Sequence, residues 1–253
     1  MRGFMERLLE ICIDSLASAR AAIRSGADRL ELCSALALGG LTPYTELLQQ
    51  IRDESNIPIR CLMRHRAGDF LYTSDEIDLM ARQIRALRAA GADGFVIGCL
   101  DPEGNLDCDA MQVLIDAADG AALTLHRCID VSRDPLETYR TAAKLGIDTI
   151  LTSGAAASCM GGLEMIRNML NIRDAENGPE VLIGAGVNPA NAEKIVSLLP
   201  QARAFHGSCK TMVESGMIFR REEVPMGLPY FDEWHIQQTD EAQVRALKAA
   251  ITA

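Results

Sequence analysis

The chain has 253 residues, of which 48% are hydrophobic, and its formal net charge at pH 7 is −10. This length and apolar content can build a large core, organised as one large α/β barrel or as two small domains. The acidic balance argues against nucleic acid or an anionic membrane surface as the main partner, because either would favour a basic face. No apolar run approaches the roughly 20 residues that span a bilayer, and Met1 to Arg7 is too poor in apolar residues for a signal peptide. We therefore expect a cytoplasmic protein.

Eight cysteines are scattered through the sequence. At this density they are too dilute for a disulfide scaffold, so we expect reduced thiols. None of them forms a Cys-x-x-Cys pair, so the sequence offers neither a zinc ribbon nor a thioredoxin-like motif. Any thiol site would have to be assembled in space from distant parts of the chain.

Short apolar runs alternate with amphipathic patterns along the chain and predict eight β/α units. The predicted strands lie near residues 8–13, 29–33, 59–63, 94–100, 123–129, 149–152, 181–185 and 203–206. The predicted helices lie near residues 15–25, 43–54, 75–90, 108–118, 135–145, 161–174, 189–199 and 240–251. This strict alternation predicts an α/β fold, a (β/α)8 TIM-type barrel that forms a single domain over residues 1–253.

Local signals mark the ends of several predicted helices. Three glycines stand where a left-handed cap residue would end a helix: Gly26, Gly91 and Gly146. Three pairs combine a capping residue with proline and predict helix starts: Thr42-Pro43, Asp134-Pro135 and Asn188-Pro189. These signals concern the fold and carry no information about function.

One segment does not fit a minimal barrel, because residues 211–239 form a long insert between the eighth strand and the last helix. Within this insert, the stretch from Pro225 to His235 contains Tyr230, Phe231 and Trp234 and is flanked by acidic residues. We weigh two interpretations, a lid folded over the barrel and an interface between subunits. An apolar patch rimmed by charge is typical of an interface, so we expect a homodimer.

Two predicted strands repeat one pattern, since Leu9-Glu10-Ile11-Cys12 returns as Leu30-Glu31-Leu32-Cys33. Residues two apart share a face of a strand, so each strand presents one carboxylate and one thiol on the same side. A buried carboxylate is costly unless a polar group meets it, and the barrel mouth is where that can happen. We therefore expect Glu10 and Glu31 at a functional mouth, as candidate catalytic residues.

Cys12 and Cys33 are the most distinctive pair of thiols. Neighbouring parallel strands lie about 4.8 Å apart, so equivalent side chains on them could face one another. Two soft thiolates at that spacing suit Cu(I). The alternative is that both are small buried hydrophobic residues, as free cysteine usually is.

The third predicted strand ends with Arg64 and Arg66, which share a strand phase. Two guanidinium groups at the mouth could clamp a carboxylate or phosphate. The alternative is that they balance Glu10, Glu31 or Asp14 in a structural ion network.

The fifth strand ends with His126, Arg127 and Asp130. A histidine with a carboxylate nearby is the usual acid/base arrangement, so His126 and Asp130 are candidate catalytic residues. A single histidine at a strand end is also often only a hydrogen-bonding residue. Arg127 lies in the other strand phase and is a candidate anion-binding residue.

Small residues close the last strands of the predicted barrel. Such residues expose backbone N–H groups, and many barrels hold phosphate after the seventh and eighth strands. The candidate anion-binding residues here are Gly184, Gly186, His206 and Ser208.

Several motifs occur together along the chain, in this order: Glu10-Ile11-Cys12-Ile13-Asp14-Ser15, Gly26-Ala27-Asp28-Arg29-Leu30-Glu31-Leu32-Cys33-Ser34, Gly39-Gly40-Leu41-Thr42-Pro43, Gly68-Asp69-Phe70-Leu71-Tyr72, His126-Arg127, Leu151-Thr152-Ser153-Gly154, Ser215-Gly216-Met217 and Phe219-Arg220. On these motifs the chain resembles the CutC copper homeostasis family over nearly its whole length. The resemblance implies a cytoplasmic TIM-type barrel, a link to copper, and Cu(I) binding by Cys12 and Cys33. It implies no known reaction, and we predict no organic cofactor.

Two functional hypotheses follow from the residues and the resemblance. In the first, the protein handles copper and binds Cu(I) through Cys12 and Cys33. In the second, it is an enzyme acting on a small metabolite that bears a phosphate or carboxylate. The second hypothesis accounts for the many polar residues at one end of the barrel, which a two-cysteine copper site does not require.

Overall fold

The structure is a computed structural model and describes residues 7–224, 226–227 and 232–252. Eight parallel strands form a closed barrel in chain order, in which β8 pairs with β1. The barrel strands are β1 (Leu8–Ile13), β2 (Arg29–Leu32), β3 (Ile59–Leu62), β4 (Gly94–Ile97), β5 (Ala122–Leu125), β6 (Thr149–Thr152), β7 (Glu180–Ile183) and β8 (Ala204–Gly207). The helices are α1 (Leu16–Arg24), α2 (Thr45–Glu54), α3 (Ser74–Ala89), α4 (Cys108–Ala118), α5 (Pro135–Lys144), α6 (Leu163–Glu176), α7 (Ala192–Leu198) and α8 (Glu241–Thr252). The predicted TIM-type barrel is therefore confirmed.

Capping accounts for most helix boundaries. Thr73 accepts a hydrogen bond from the backbone of Glu76, whose side chain accepts one from the backbone of Thr73, and this reciprocal pair begins α3. Asp134 caps α5, with Pro135 as its first residue. The three predicted cap glycines all have a positive φ, at 90° for Gly26, 101° for Gly91 and 81° for Gly146.

Two predicted helix starts are wrong. Helix α2 begins at Thr45 rather than after Thr42, because the backbone N–H of Thr42 donates to the carbonyl of Arg64 and ties this residue to the end of β3. Helix α7 begins at Ala192, because the Asn188 side chain accepts from the backbone of Ala190 and forms a local turn instead.

Side chains alternate between two environments along the strands. Leu9, Ile11 and Ile13 are fully buried beneath the surrounding helices, where the main hydrophobic core lies. Glu10 and Cys12, in the opposite phase, face the barrel interior. The alternation thus separates an apolar outer layer from an interior that contains charges and thiols.

The predicted insert contains an antiparallel hairpin formed by β9 (Lys210–Glu214) and β10 (His235–Thr239). The hairpin is anchored to α1, since the backbone N–H of Thr239 donates to the hydroxyl of Ser18 at 3.1 Å. Trp234 is half-buried, with the Arg220 guanidinium 5.4 Å from the centre of its ring. Pro225, Leu228, Tyr230 and Phe231 of the predicted apolar patch lie outside the described residues. Of the helices that the structure describes, none is long and apolar enough to cross a membrane.

Candidate functional site

Three side chains from three strands converge at the mouth of the barrel. The thiol of Cys12, a carboxylate oxygen of Glu31 and a ring nitrogen of His206 all lie within 4.8 Å of one another. Cys12 lies opposite Glu31 in the register of β1 and β2, and His206 lies opposite Glu10 in the register of β1 and β8. Closure of the barrel thus brings His206 to β1. We call Cys12, Glu31 and His206 the mouth cluster.

His206 is held between two carboxylates. Its Nδ1 lies 2.8 Å from Glu10 Oε1, and its Nε2 lies 3.8 Å from Glu31 Oε2. Burial lowers the pKa of His206, but Cys12, Glu31 and Glu10 outweigh that effect and raise it well above its ordinary value. These neighbours favour the protonated ring, whose Nδ1 contacts Glu10 while Nε2 faces Glu31.

Glu10 is ionised and supports His206 from below. Its carboxylate accepts a hydrogen bond from Arg29 Nε at 2.5 Å, and the two side chains are 1% and 10% exposed. Burial opposes the charge, yet the hydrogen bond with His206 and the positive charge of Arg29 lower the pKa of Glu10 to about 2. The sequence left open that Arg64 and Arg66 balance Glu10 in a structural ion network. Arg29 supplies that countercharge instead.

Glu31 has the opposite electrostatic environment. Burial raises its pKa, and the neighbouring negative charge of Glu10 adds to the effect. Its carboxylate also accepts a hydrogen bond from the thiol of Cys33 at 3.4 Å. The two glutamates of the repeated pattern therefore differ: the pKa of Glu10 is lowered, whereas burial and Glu10 raise the pKa of Glu31 against the opposing positive charge of His206.

Cys12 and Cys33 do not pair as equivalent residues, because the strands are staggered. The register places Cys12 opposite Glu31, two residues before Cys33. Both thiols nevertheless pack in one small buried cluster with Leu62 and Val96. Burial, followed by the charge of Glu31, raises the pKa of Cys33 well above its ordinary value. All eight cysteines of the chain are free thiols.

The mouth cluster borders a cavity of about 530 Å³. The cavity is lined by Cys12, Glu31, Leu36, Leu38, Gly39, Leu62, Arg64, Phe70, His126, Arg127, Leu151, Ala185, Gly186, Val187, His206, Gly207, Ser208 and Lys210. Most of the predicted site residues are therefore brought together in one place. Its volume is typical of sites for small molecules.

The two predicted clamp arginines are separated. Arg64 lines the cavity, and its guanidinium donates to the carbonyls of Leu38, Gly40 and Gly68. Arg66 instead pairs with Asp69 and Glu76 and does not line the cavity. A clamp made of both arginines is therefore wrong, because local carboxylates that follow β3 hold Arg66.

The predicted pair of His126 and Asp130 is not formed either. Nδ1 of His126 accepts a hydrogen bond from the backbone N–H of Cys128 at 3.2 Å, and the ring lies 4.7 Å from that of Phe70. Burial, followed by the charge of Arg64, lowers the pKa of His126 to about 3. The ring is therefore neutral and carries its proton on Nε2, which has no hydrogen-bond partner among the described residues.

Asp130 organises the loop that follows β6. Its carboxylate accepts from the hydroxyl and backbone N–H of Ser153, from the hydroxyl of Thr152 and from the backbone N–H of Ala155. It also pairs with Arg127 at 2.7 Å. Its neighbours indicate that it positions Arg127 and the loop, whereas the predicted role in proton transfer requires contact with His126 or the cavity.

The predicted anion-binding residues of the last strands fall into two groups. Gly186, His206 and Ser208 line the cavity, and Gly184 does not. A side chain at Gly184 would meet Leu151 Cδ1 at 2.6 Å, so this glycine permits close packing of the interior.

Sequence reasoning missed three residues of the site. Lys210 and Phe70 line the cavity, and Arg29 balances Glu10. Lys210 could have been found from its position just after β8. Arg29 gave a usable signal too, because it shares the strand phase of Glu31 and so faces the interior.

Solved structures are similar to this chain in fold. A CutC crystal structure from Streptococcus agalactiae matches with a TM-score of 0.75 and 26% identity, covering 80% of this chain and 98% of that one. An aldolase for 4-hydroxy-2-oxoglutarate and 2-dehydro-3-deoxyphosphogluconate matches with a TM-score of 0.55 and 17% identity, covering 96% of this chain and 94% of that one. The second similarity concerns the barrel fold alone.

Sequence relatives agree over most of the chain. A family protein CutC from Histophilus somni is 38% identical over 240 residues, which cover 95% of this chain and 97% of that protein. The human copper homeostasis protein cutC homolog is 37% identical over 243 residues, which cover 96% of this chain and 88% of that protein. The model of the CutC family matches residues 7–211. The chain therefore belongs to the CutC family.

Proposed function

We propose that this protein binds Cu(I) at the barrel mouth, with Cys12 as the main ligand and Cys33 as a second thiolate. The observation that carries the proposal is the convergence of Cys12, Glu31 and His206 within 4.8 Å at the border of the cavity. The human relative, named for copper homeostasis, supports the choice of metal.

The chemistry of the donors fits this ion. Thiolates are the soft ligands that select Cu(I), and imidazole suits copper as well. Glu10 holds Nδ1 of His206, and this second contact fixes the ring with Nε2 directed at the cluster, as partners of metal-binding histidines do. Cys33 packs beside Cys12 among apolar side chains, where a second sulfur would complete a site shielded from water.

Binding would have to displace protons. The pKa values of Cys33 and His206 both lie well above their ordinary values, so both groups bind protons near neutral pH. A ligand thiol or imidazole must lose its proton to the metal. We therefore expect the affinity for Cu(I) to fall as the pH is lowered, and binding to release protons into a weakly buffered solution.

The test is an anaerobic titration of reduced protein with Cu(I) against a competing chelator. Variants Cys12→Ser and Cys33→Ser remove the two proposed ligands, and Cys108→Ser is the matched control because Cys108 is exposed. We expect Cys12→Ser to weaken binding by about 100-fold or more and Cys33→Ser by roughly tenfold to 100-fold. Cys108→Ser should bind like the native chain.

Two outcomes would contradict the proposal. If Cys12→Ser bound Cu(I) with native affinity, Cys12 would not be the main ligand. An equal loss in Cys108→Ser would indicate that Cu(I) binds thiols of this chain without regard to place. Native affinity in Cys33→Ser alone would overturn only the role of the second thiolate.

We also propose that the protein works in the cytoplasm, where eight free thiols would remain reduced and available to Cu(I). Cell fractionation with a compartment marker tests this location. Recovery in an oxidising compartment would contradict it.

We further propose a homodimer formed through the insert. Large apolar side chains of the insert are exposed, among them Met217, Ile218, Phe219 and Met226. Exposed patches of this kind are typical of interfaces. Light scattering should give about twice the monomer mass of 27.5 kDa, and the double variant Ile218→Ser, Phe219→Ser should lower the measured mass.

Tyr44→Ser, at an exposed position elsewhere on the surface, is the control and should keep the native mass. A native chain that scatters with the monomer mass would contradict the proposal.

A further inference from the structure

Three positively charged side chains line the cavity outside the mouth cluster. The mouth cluster, with Cys12 and Glu31, forms one wall. Arg64, Arg127 and Lys210 contribute three cations to the rest of the lining. In a chain whose net charge is −10, this is a local reversal of the overall balance. Copper binding at Cys12 does not explain these cations, since a metal cation would be repelled by them.

Two of these cations have no carboxylate partner among the described residues. The guanidinium of Arg64 is held by backbone carbonyls, which fix its place but leave its charge uncompensated. Lys210 Nζ donates to the neutral side chain of Gln237 at 2.7 Å. Arg127 does have a partner, Asp130. Positive charge held at a concave site without a counterion favours an anionic ligand.

His126 provides an independent observation. It is 4% exposed and lines the same cavity, and the N–H at Nε2 has no acceptor among the described residues. Leaving a buried donor without an acceptor is energetically unfavourable. The ring is also fixed, because a side chain at Gly98 would come within 2.5 Å of its Cε1. A buried, fixed donor without an acceptor is what a ligand-binding site requires.

We propose that the cavity binds a small organic anion. Its carboxylate or phosphate group lies against Arg64, Lys210 and Arg127, and one of its oxygen atoms accepts a hydrogen bond from the N–H at Nε2 of His126. Carboxylate and phosphate share the charge and the acceptor geometry that these groups recognise. The remainder of the molecule would face the mouth cluster, which favours polar substituents such as hydroxyl or carbonyl groups near Glu31 and His206.

The inference goes beyond copper binding and is tested without copper. Metal-free reduced protein, kept with a chelator, is titrated calorimetrically near neutral pH with oxalate and, separately, with inorganic phosphate at constant ionic strength. We expect binding of one ion per chain for at least one of the two probes, with a dissociation constant below about 10 mM. The probe that binds more tightly identifies the anionic group.

Lys210→Met is the informative variant, because the lysine side chain bonds only to Gln237 among the described residues and its loss should leave the fold intact. Lys144→Met is the matched control, because Lys144 is exposed at the end of α5 and does not line the cavity. We expect Lys210→Met to weaken binding by roughly tenfold, as for the loss of a hydrogen bond to a charged group. Lys144→Met should stay within about twofold of the native chain.

A second readout follows His126 directly. In a nitrogen-15 NMR spectrum, the Nε2–H resonance of His126 should shift as the bound probe accepts a hydrogen bond from it, and His126→Asn assigns the signal. The proposal is overturned if neither probe binds, if Lys210→Met binds like the native chain, or if the His126 signal does not move at saturation. Each of these results leaves the copper titration unaffected, so the two proposals fail separately.

Discussion

Two polar regions of the barrel interior differ in how completely their charges are compensated. Below the mouth, Arg29 pairs with Glu10, and Arg60 donates to the hydroxyls of Thr124 and Thr149 and to Asp148. At the mouth, Cys12, Glu31 and His206 border a cavity, and the Nε2 donor of His126 has no described partner. We call the first region the lower network.

The difference is the one expected between charges that stabilise a fold and groups that receive a ligand. A buried ion pair is stable only when its partners and hydrogen bonds are complete. The Arg60 side of the lower network comes close to that condition, whereas one terminal nitrogen of Arg29 has no hydrogen-bond partner among the described residues. A site that receives a ligand must instead keep donors and acceptors available. The two regions are linked by Glu10, which pairs with Arg29 below and holds His206 above.

We expect the largest loss of stability from a substitution that disrupts the lower network. Glu10→Gln keeps the shape of the side chain but leaves the guanidinium of Arg29 buried without a countercharge. We expect the free energy of unfolding to fall by about 3 kcal/mol, measured by urea denaturation near neutral pH. Asp78→Asn, which breaks the exposed pair with Arg82, is the control and should cost less than about 1 kcal/mol. Equal losses in the two variants would contradict the structural role of Glu10.

An intermediate effect concerns pH and His126. Its pKa is about 3 in the folded chain and 6.5 ordinarily, so below pH 6.5 the unfolded chain takes up a proton that the folded chain does not. The stability contributed by the neutral ring is therefore present above pH 6.5 and is lost as the pH falls toward 3. Between about pH 7 and pH 5 the native chain should lose roughly 2 kcal/mol more than His126→Asn. Urea denaturation at both pH values measures the difference, and parallel losses would show that His126 titrates normally.

We expect the smallest loss of stability from the corresponding substitution at the mouth, Glu31→Gln. Glu31→Gln is the same substitution as Glu10→Gln, but burial and the charge of Glu10 raise the pKa of Glu31 and so oppose its negative charge. A neutral amide should therefore replace it with a change in unfolding free energy of less than about 1 kcal/mol. The same urea series measures this value. A loss as large as that of Glu10→Gln would mean that Glu31 is also a structural anion, and the distinction between the two regions would fail.

The periodicity of the sequence predicted much of this molecule. The alternation of apolar runs and helical patterns was enough for the closed barrel, because each strand and helix carries its own period of burial. The inward direction of Glu10 and Cys12 also followed from strand alternation. The prediction of cap glycines held for the same reason, since φ at these positions is a local property.

Interactions between distant segments could not be predicted in the same way. The clamp of Arg64 with Arg66 was wrong because Asp69 and Glu76 hold Arg66, and no periodicity encodes that choice. The pairing of His126 with Asp130 was wrong because Asp130 turns toward the loop after β6. Side chains at strand ends leave the alternating pattern, so their direction depends on the loops around them.

The sequence by itself determined the strands, their inward faces and the presence of a carboxylate on each of β1 and β2, followed two residues later by a thiol. Only the tertiary structure decided which of these groups meet. Closing a barrel requires the strands to tilt and stagger, so Cys12 lies beside Glu31 rather than Cys33. The same closure brings His206 from β8 to Glu10, across a separation of 196 residues. Local patterns determine which face a side chain occupies, whereas stagger and closure determine its neighbours.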